Sequence, residues 1–279
     1  MANDSPTEIH PPSIPRRTTN GFTMPDPPTN PLETIPTQAH QLPHNNIPNT
    51  PLSVATVSAV LGILFTLGAA LFVSGGVAGS WWATYQLGFF TAIWAFFHWA
   101  EFAVTAGWNR EKLSVDSFLL DNGMTYHIAH AAALTEFLVT KFFWPDSKSR
   151  TAVSIIGMVT VIIGQTIRSL AMIHASSNFS HTVATYKLVT HRLVTDGIYS
   201  ISRHPSYAGF FYWGLGTQLV LQNPVTFVLY LALLWRFFST RIKGKYMMFG
   251  VEEQYLIRFF GKEYTDYRSK VGTLLPLIK

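Results

Sequence analysis

The sequence predicts an all-α polytopic integral membrane protein of about six transmembrane helices, the last two forming a short helical hairpin. Three observations carry that expectation. Only 13% of the 279 residues are charged and 48% are hydrophobic, against about 25% charged in an average soluble domain. The apolar residues gather into runs long enough to cross about 30 Å of hydrocarbon. The basic residues stand in short clusters between those runs, the pattern of positive loops on one membrane face. Those clusters account for the formal charge of +5, so the lipid bilayer is an expected partner and nucleic acid is not. Cysteine is absent, which excludes a disulfide framework, a thiol nucleophile and a cysteine metal site.

Residues 1–51 hold 12 of the 16 prolines and no apolar period. Such a segment cannot bury enough surface to offset its ordering entropy, and a disordered proline-rich tail is expected. No basic stretch leads directly into an apolar core there, so it does not read as a signal peptide. From Leu52 the run LSVATVSAVLGILFTLGAALFVSGG carries no charge over 25 residues. A turn at GSWW leads to ATYQLGFFTAIWAFFHWAEFAVTAG. The third run, MTYHIAHAAALTEFLVTKFFW, is more polar, and the fourth, TAVSIIGMVTVIIGQTIRSLAMI, is clearer. About thirty mixed residues follow, His174 to Arg203. PSYAGFFYWGLGTQLVL and PVTFVLYLALLWRFF then flank Gln222-Asn223, and Asn-Pro marks the turn of a hairpin. The tail from Glu252 reads as one amphipathic helix, headed by two carboxylates that suit a helix start.

The basic clusters set the orientation. Arg16 and Arg17, Arg110 and Lys112, Lys187 to Arg203, and Arg241 to Lys245 all fall on one side if six segments cross. That side is cytosolic, with both termini there. The loop holding Asp146, Lys148 and Arg150 breaks the pattern.

Polar groups inside the runs are costly in lipid and face cavities or partners. His98 and Glu101 share a helix face and can touch; His127, His130 and Glu136 lie in the third run. Interhelical hydrogen bonding is the expected role, in preference to a metal site. Arg168 lies deep in the fourth run and needs an anion, from the protein or from a ligand. The richest stretch is SSNFSHTVATYKLVTHRLVTDGIYSISRHPSYAG. Asp196-Gly197 reads as a turn and Pro205 as the first residue of a helix. Arg203 and His204 would then stand beside free N–H groups able to hold an anion or a polar small molecule.

Taken in order, HWAEF, LSVDSFLL, IRSLAM, SSNFSHTV, HRLVTDGIY, SRHPSYAGFFYWGLGTQ, WRFF and EEQYLIRFFGKEYTDYRSKV resemble the isoprenylcysteine carboxyl methyltransferase family. The likeness covers roughly residues 54–278. Parts of it recur in phospholipid N-methyltransferases and, more loosely, in sterol reductases; a non-enzymatic polar-path transporter is a further alternative. The resemblance implies a membrane-embedded methyltransferase domain over residues 52–279. It implies transfer of a methyl group from S-adenosylmethionine to the terminal carboxylate of a prenylated cysteine on CaaX-processed proteins, of small GTPase or pheromone type. Endoplasmic reticulum is the implied membrane. By resemblance the cofactor pocket is formed by His191, Arg192, Leu193, Val194, Tyr199, His204, Pro205, Ser206 and Tyr207 and closed by Glu252. Arg168 or Arg241 would steer the carboxylate.

A carboxylate with pKa about 3.5 is already ionised at neutral pH and needs no general base, so alignment is the task. One departure from the family stands out. There the arginine after WRFF precedes the glutamate pair by about one helical turn, whereas Arg241 and Glu252 are separated by IKGKYMMFGV. On a continuous helix that spacing is about 16 Å. Gly244 and Gly250 would let the insert bulge out and restore the approach; otherwise Lys245 would substitute for Arg241.

Overall fold

The computed structural model describes residues 47–243 and 252–278. Most of the proline-rich tail, together with Gly244, Lys245 and Gly250, lies outside the described residues. Eight α-helices occur among the latter: α1 (Pro51–Val73), α2 (Tyr85–Trp108), α3 (Met124–Phe143), α4 (Thr151–Ala175), α5 (Pro205–Leu221), α6 (Pro224–Lys243), α7 (Glu252–Phe260) and α8 (Lys262–Lys270). Thr50 opens α1 by accepting the Ser53 N–H, with Pro51 in the first turn. Thr84 opens α2 in the same way through the Leu87 N–H.

Among the described residues, four stretches are long and apolar enough to cross a membrane: 51–73, 85–108, 151–178 and 224–242. The physical reason that α3 and α5 differ is visible in each. α3 carries His127, His130, Glu136 and Lys141. α5 is only 17 residues long and lies inside the bundle, its Phe211, Trp213, Val220 and Leu221 buried.

Small residues set the closest helix contacts. A Cβ on Gly164 of α4 would stand 2.7 Å from both the Gly209 carbonyl and the Trp213 nitrogen of α5. Gly68 of α1 and Gly88 of α2 meet in the same way, each Cβ position 2.8 Å from the other's carbonyl oxygen. Backbones can approach this closely only where side chains are absent.

At the end of the bundle where α5 passes into α6, a polar knot replaces apolar packing. Lys148 Nζ donates to the Gln222 carbonyl and to Asn223 Oδ1, both at 2.8 Å. Glu136 of α3 accepts the N–H groups of Val225 (2.9 Å) and Thr226 (2.6 Å), capping the start of α6. Burial lowers the Lys148 ammonium to about 8. Its charge is turned inward, whereas Arg150 of the same loop is exposed.

His98 and Glu101 share a face of α2 but serve different partners. His98 bonds the Phe118 carbonyl (2.7 Å) and the Tyr126 hydroxyl (2.8 Å), while Glu101 faces Arg168. The expected single tail helix is two. Gly261, at φ 56°, adopts a left-handed conformation that costs glycine little and separates α7 from α8. After α8 the chain is fastened beneath α5: the Gly272 carbonyl accepts the Arg203 N–H at 2.9 Å, and Leu275 and Ile278 are buried.

Candidate active site

The site is built where α4 ends and α5 begins. His174, in the last turn of α4, accepts the Ile198 N–H on Nδ1 at 3.0 Å. Gly197 sits against that ring with φ +55°, and a Cβ there would lie 2.4 Å from His174 Nδ1. The Asp196-Gly197 turn therefore requires glycine for both conformation and space. His204 is the N-cap of α5 and Pro205 its first residue. This places Arg203 and His204 at the helix start, as the sequence predicts.

A polar cleft of about 140 Å³ opens there. Asn178 to Ser180, Arg192 to Val194, Tyr199, residues 203–207 and Glu252 line it, with α8 contributing Tyr264 and Tyr267. Tyr199 donates to the Ala171 carbonyl (3.2 Å), and its own carbonyl accepts from Tyr267 Oη (2.5 Å). Burial raises the phenol pKa of Tyr199, and pushes that of Tyr267 up to about 12, so both stay protonated donors.

The two leading carboxylates of α7 part company. Glu253 is buried and binds Arg203 Nε (2.6 Å), His204 Nε2 (3.3 Å) and Arg268 Nη1 (3.2 Å). Burial alone would raise its pKa, but hydrogen bonds from His204 and Arg203 outweigh that and hold it at about 2. Glu252 instead faces the cleft and accepts the Tyr207 hydroxyl. Arg241 Nε donates to that same phenolic oxygen at 2.7 Å and stands 3.8 Å from Glu252 Oε2. Arg241, Tyr207 and Glu252 thus form one array.

A second cavity of about 230 Å³ lies on the bundle side of this array. Tyr126, His130, Phe210, Trp213, Leu233 and Phe237 give it apolar and aromatic walls, and Arg168 and Arg241 lie at its polar margin. Phe179, Ser180, Ser206 and Tyr207 line both cavities, so the two meet at the start of α5. Arg168 is buried and held by Glu101, through Nε and through Nη2 (2.8 Å), with Nη1 on Ser206 Oγ at 2.9 Å. Its anion is supplied by the protein.

Of the residues singled out in sequence, Arg192, Leu193, Val194, Tyr199, His204 to Tyr207 and Glu252 line the polar cleft. Arg168 and Arg241 line the apolar cavity. His191 lies next to the lining, its Nδ1 accepting the Leu188 N–H at 3.4 Å. Burial lowers its pKa, and Lys112 and Lys187 act in the same direction. Glu101, His181 and Glu253 join the network through contacts 50 to 80 positions apart. In sequence Glu101 stood out for sharing a helix face with His98, Glu253 as one of the two carboxylates at a helix start, and His181 as part of SSNFSHTV. None of these signals named its partner.

A helical membrane bundle that joins a polar cleft to an apolar cavity through one Arg–Tyr–Glu array defines an intramembrane enzyme for amphiphilic substrates. Residues 155–257 match the isoprenylcysteine carboxyl methyltransferase (ICMT) family. The protein-S-isoprenylcysteine O-methyltransferase of Rattus norvegicus is 42% identical over 226 residues, covering 81% of this chain and 75% of the relative. That of Saccharomyces cerevisiae is 40% identical over 246 residues, covering 86% of this chain and 96% of the relative. A solved structure of the eukaryotic intramembrane Ras methyltransferase ICMT superposes with TM-score 0.74 at 36% identity, over 81% of this chain and 76% of that one. The chain belongs to the isoprenylcysteine carboxyl methyltransferase family.

Proposed function

We propose that this enzyme methylates the C-terminal carboxylate of a prenylated cysteine, farnesyl or geranylgeranyl, on CaaX-processed proteins, with S-adenosylmethionine as methyl donor. The observation that carries the reading is the meeting of a polar cleft and an apolar cavity at Ser206 and Tyr207. The substrate has a charged end and a hydrocarbon end, and each cavity suits one partner of the transfer.

The polar cleft fits the cofactor by its donor set. Arg203 Nη2 and Tyr264 Oη are buried without a partner among the described residues, and both residues line the cleft. Glu252 adds a carboxylate able to accept hydroxyl or ammonium donors, and Leu193, Val194 and Pro205 supply apolar contact for a base. When bound, S-adenosylmethionine supplies a methyl group on a sulfonium centre, which the substrate carboxylate oxygen can accept directly. His204 and Tyr207, their rings stacked at 5.4 Å, form the wall beside Glu252.

Arg241 is assigned to the substrate carboxylate. Its side chain is partly open and held by Tyr207 and the His181 carbonyl, so its fork is oriented before substrate arrives. Arg168 is assigned to the wall at the same margin, because Glu101 already neutralises it. No residue need act as base toward a carboxylate that is ionised at neutral pH. The phenol of Tyr207 keeps Arg241 and Glu252 in register across the junction.

We place the cleft on the cytosolic side with both termini, α1 to α6 crossing the bilayer and α5–α6 forming a hairpin. Support comes from Lys112, Lys187, Arg192 and Arg268, whose contacts with Phe179, Phe259, the cleft lining and Glu253 put them at the cleft end. Endoplasmic reticulum follows from the family resemblance. The test offers labelled S-adenosylmethionine to membranes containing the protein, with N-acetyl-farnesylcysteine or phosphatidylethanolamine as acceptor. Base-labile label on the prenylcysteine is the expected result. Label confined to the lipid would move the enzyme to amine methylation.

A further inference from the structure

We infer that His181 is a positioning residue for the transfer: it ties a short strap, Phe179 to His181, to the buried Glu101–Arg168 pair and thereby fixes Arg241 where the two cavities meet. The inference rests on the proposed reaction at that junction.

The strap is held at both ends. The Phe179 carbonyl accepts Asn109 Nδ2 (3.0 Å) and Lys112 Nζ (2.7 Å), which fastens it to the end of α2. His181 Nε2 lies 3.0 Å from Glu101 Oε2. An ionised carboxylate only accepts, so Nε2 carries the proton. The main chain of the same residue faces the other way, its carbonyl accepting Arg241 Nη2 at 2.7 Å. One residue therefore joins α2 and α4, through Glu101 and Arg168, to α6 through Arg241. The Phe179 ring meets the imidazole edge-on at 5.1 Å and keeps the strap compact.

The geometry gives this tie a catalytic consequence. Arg241 has two fixed acceptors on one side of its fork, the Tyr207 oxygen and the His181 carbonyl. If the strap loosens, the Tyr207 oxygen is the one hydrogen-bond acceptor left among the described residues, with Glu252 Oε2 at 3.8 Å, and the guanidinium can turn about that bond toward the carboxylate. Preorganised donors lose their effect when displaced by about 1 Å, at a cost of about 100-fold in rate. A histidine that served stability alone would leave the turnover of folded enzyme unchanged.

Two variants separate these roles. His181→Phe keeps a ring beside Phe179 and removes the donor; His181→Gln restores an N–H donor near the same place. In the purified full-length protein, hydrogen exchange over residues 176–183 should quicken in His181→Phe and recover in His181→Gln. In the transfer assay, kcat/KM for N-acetyl-farnesylcysteine should fall about 10- to 100-fold in His181→Phe, with KM for S-adenosylmethionine unchanged within about twofold. His181→Gln should restore most of it. In an Arg241→Lys background, His181→Phe should add little, since both act through one guanidinium. Unchanged kcat/KM in His181→Phe, or losses that multiply in the double variant, would overturn the inference. A wild type inactive on prenylcysteine would sink the proposed reaction instead, and unchanged exchange in His181→Phe would then overturn the strap on its own.

Discussion

Arg241 and Glu252 stand 3.8 Å apart, Nε to Oε2, although they are eleven positions apart in the chain. A continuous helix would hold them about 16 Å apart. The short separation itself excludes one continuous helix through the pair. Tyr207 stands between them and bonds to both. Arg241 itself therefore reaches Glu252 despite the longer connection, while Lys245 lies outside the described residues.

Replacing Arg241 with lysine tests that array. Lysine keeps the charge but cannot bond Tyr207 and the His181 carbonyl at once while presenting a planar fork. Removing one preorganised donor of this kind costs about 100-fold or more in kcat. The loss should appear with prenylcysteine as varied substrate, and binding of S-adenosylhomocysteine by calorimetry should hardly change. A large loss of binding there would place Arg241 in the cofactor cleft.

Glu253 makes a pH prediction. Its carboxyl is held at about 2 against an ordinary value of 4.5. Such a group contributes stability above pH 4.5 and loses it as pH falls toward 2. Acid unfolding of the detergent-solubilised protein should therefore steepen between those values, and Glu253→Gln should flatten that limb. Glu253→Ala, which leaves the buried Arg203 without its carboxylate, should cost about 3 kcal/mol or more at neutral pH.

Two glycine substitutions should behave oppositely. A Cβ on Gly209 would lie 2.7 Å from the Arg168 nitrogen and the Gly164 carbonyl, both backbone. Gly209→Ala must push α4 and α5 apart, lowering thermal stability and drawing Arg168 away from Ser206. Gly62, in the middle of α1, meets nothing within 4 Å. Gly62→Ala should be neutral or stabilising by up to about 1 kcal/mol. Equal melting temperatures for the two variants would contradict the close contact.

Glu136→Ala removes a cap that one helix supplies to another. The N–H groups of Val225 and Thr226 lose their acceptor, at a cost of about 1 to 2 kcal/mol. The melting temperature should drop while KM for both substrates stays put, because this end of the bundle is remote from the cleft. A change in KM would mean that α6 transmits the loss to Arg241.

Much of this protein was legible along the chain. Low charge and long apolar runs indicate a helical membrane protein, since hydrocarbon leaves the backbone no other partners. Asp196-Gly197, His204 and Pro205 mark a turn and a helix start through local rules alone. Local rules do not divide the tail at Gly261, because a lone glycine inside an amphipathic period is tolerated at a cost of about 1 kcal/mol. What the tertiary structure alone decided is which charges meet. Arg168 finds Glu101 across 67 positions and Arg203 finds Glu253 across 50, while Lys148 is met by neutral oxygens, Asn223 Oδ1 among them, across 75. A buried charge requires a partner, but the requirement names a charge type and not a residue. Only the close approach of α4 and α5, and the return of α7 to the start of α5, determined that Glu252 faces the cleft while Glu253 holds its wall.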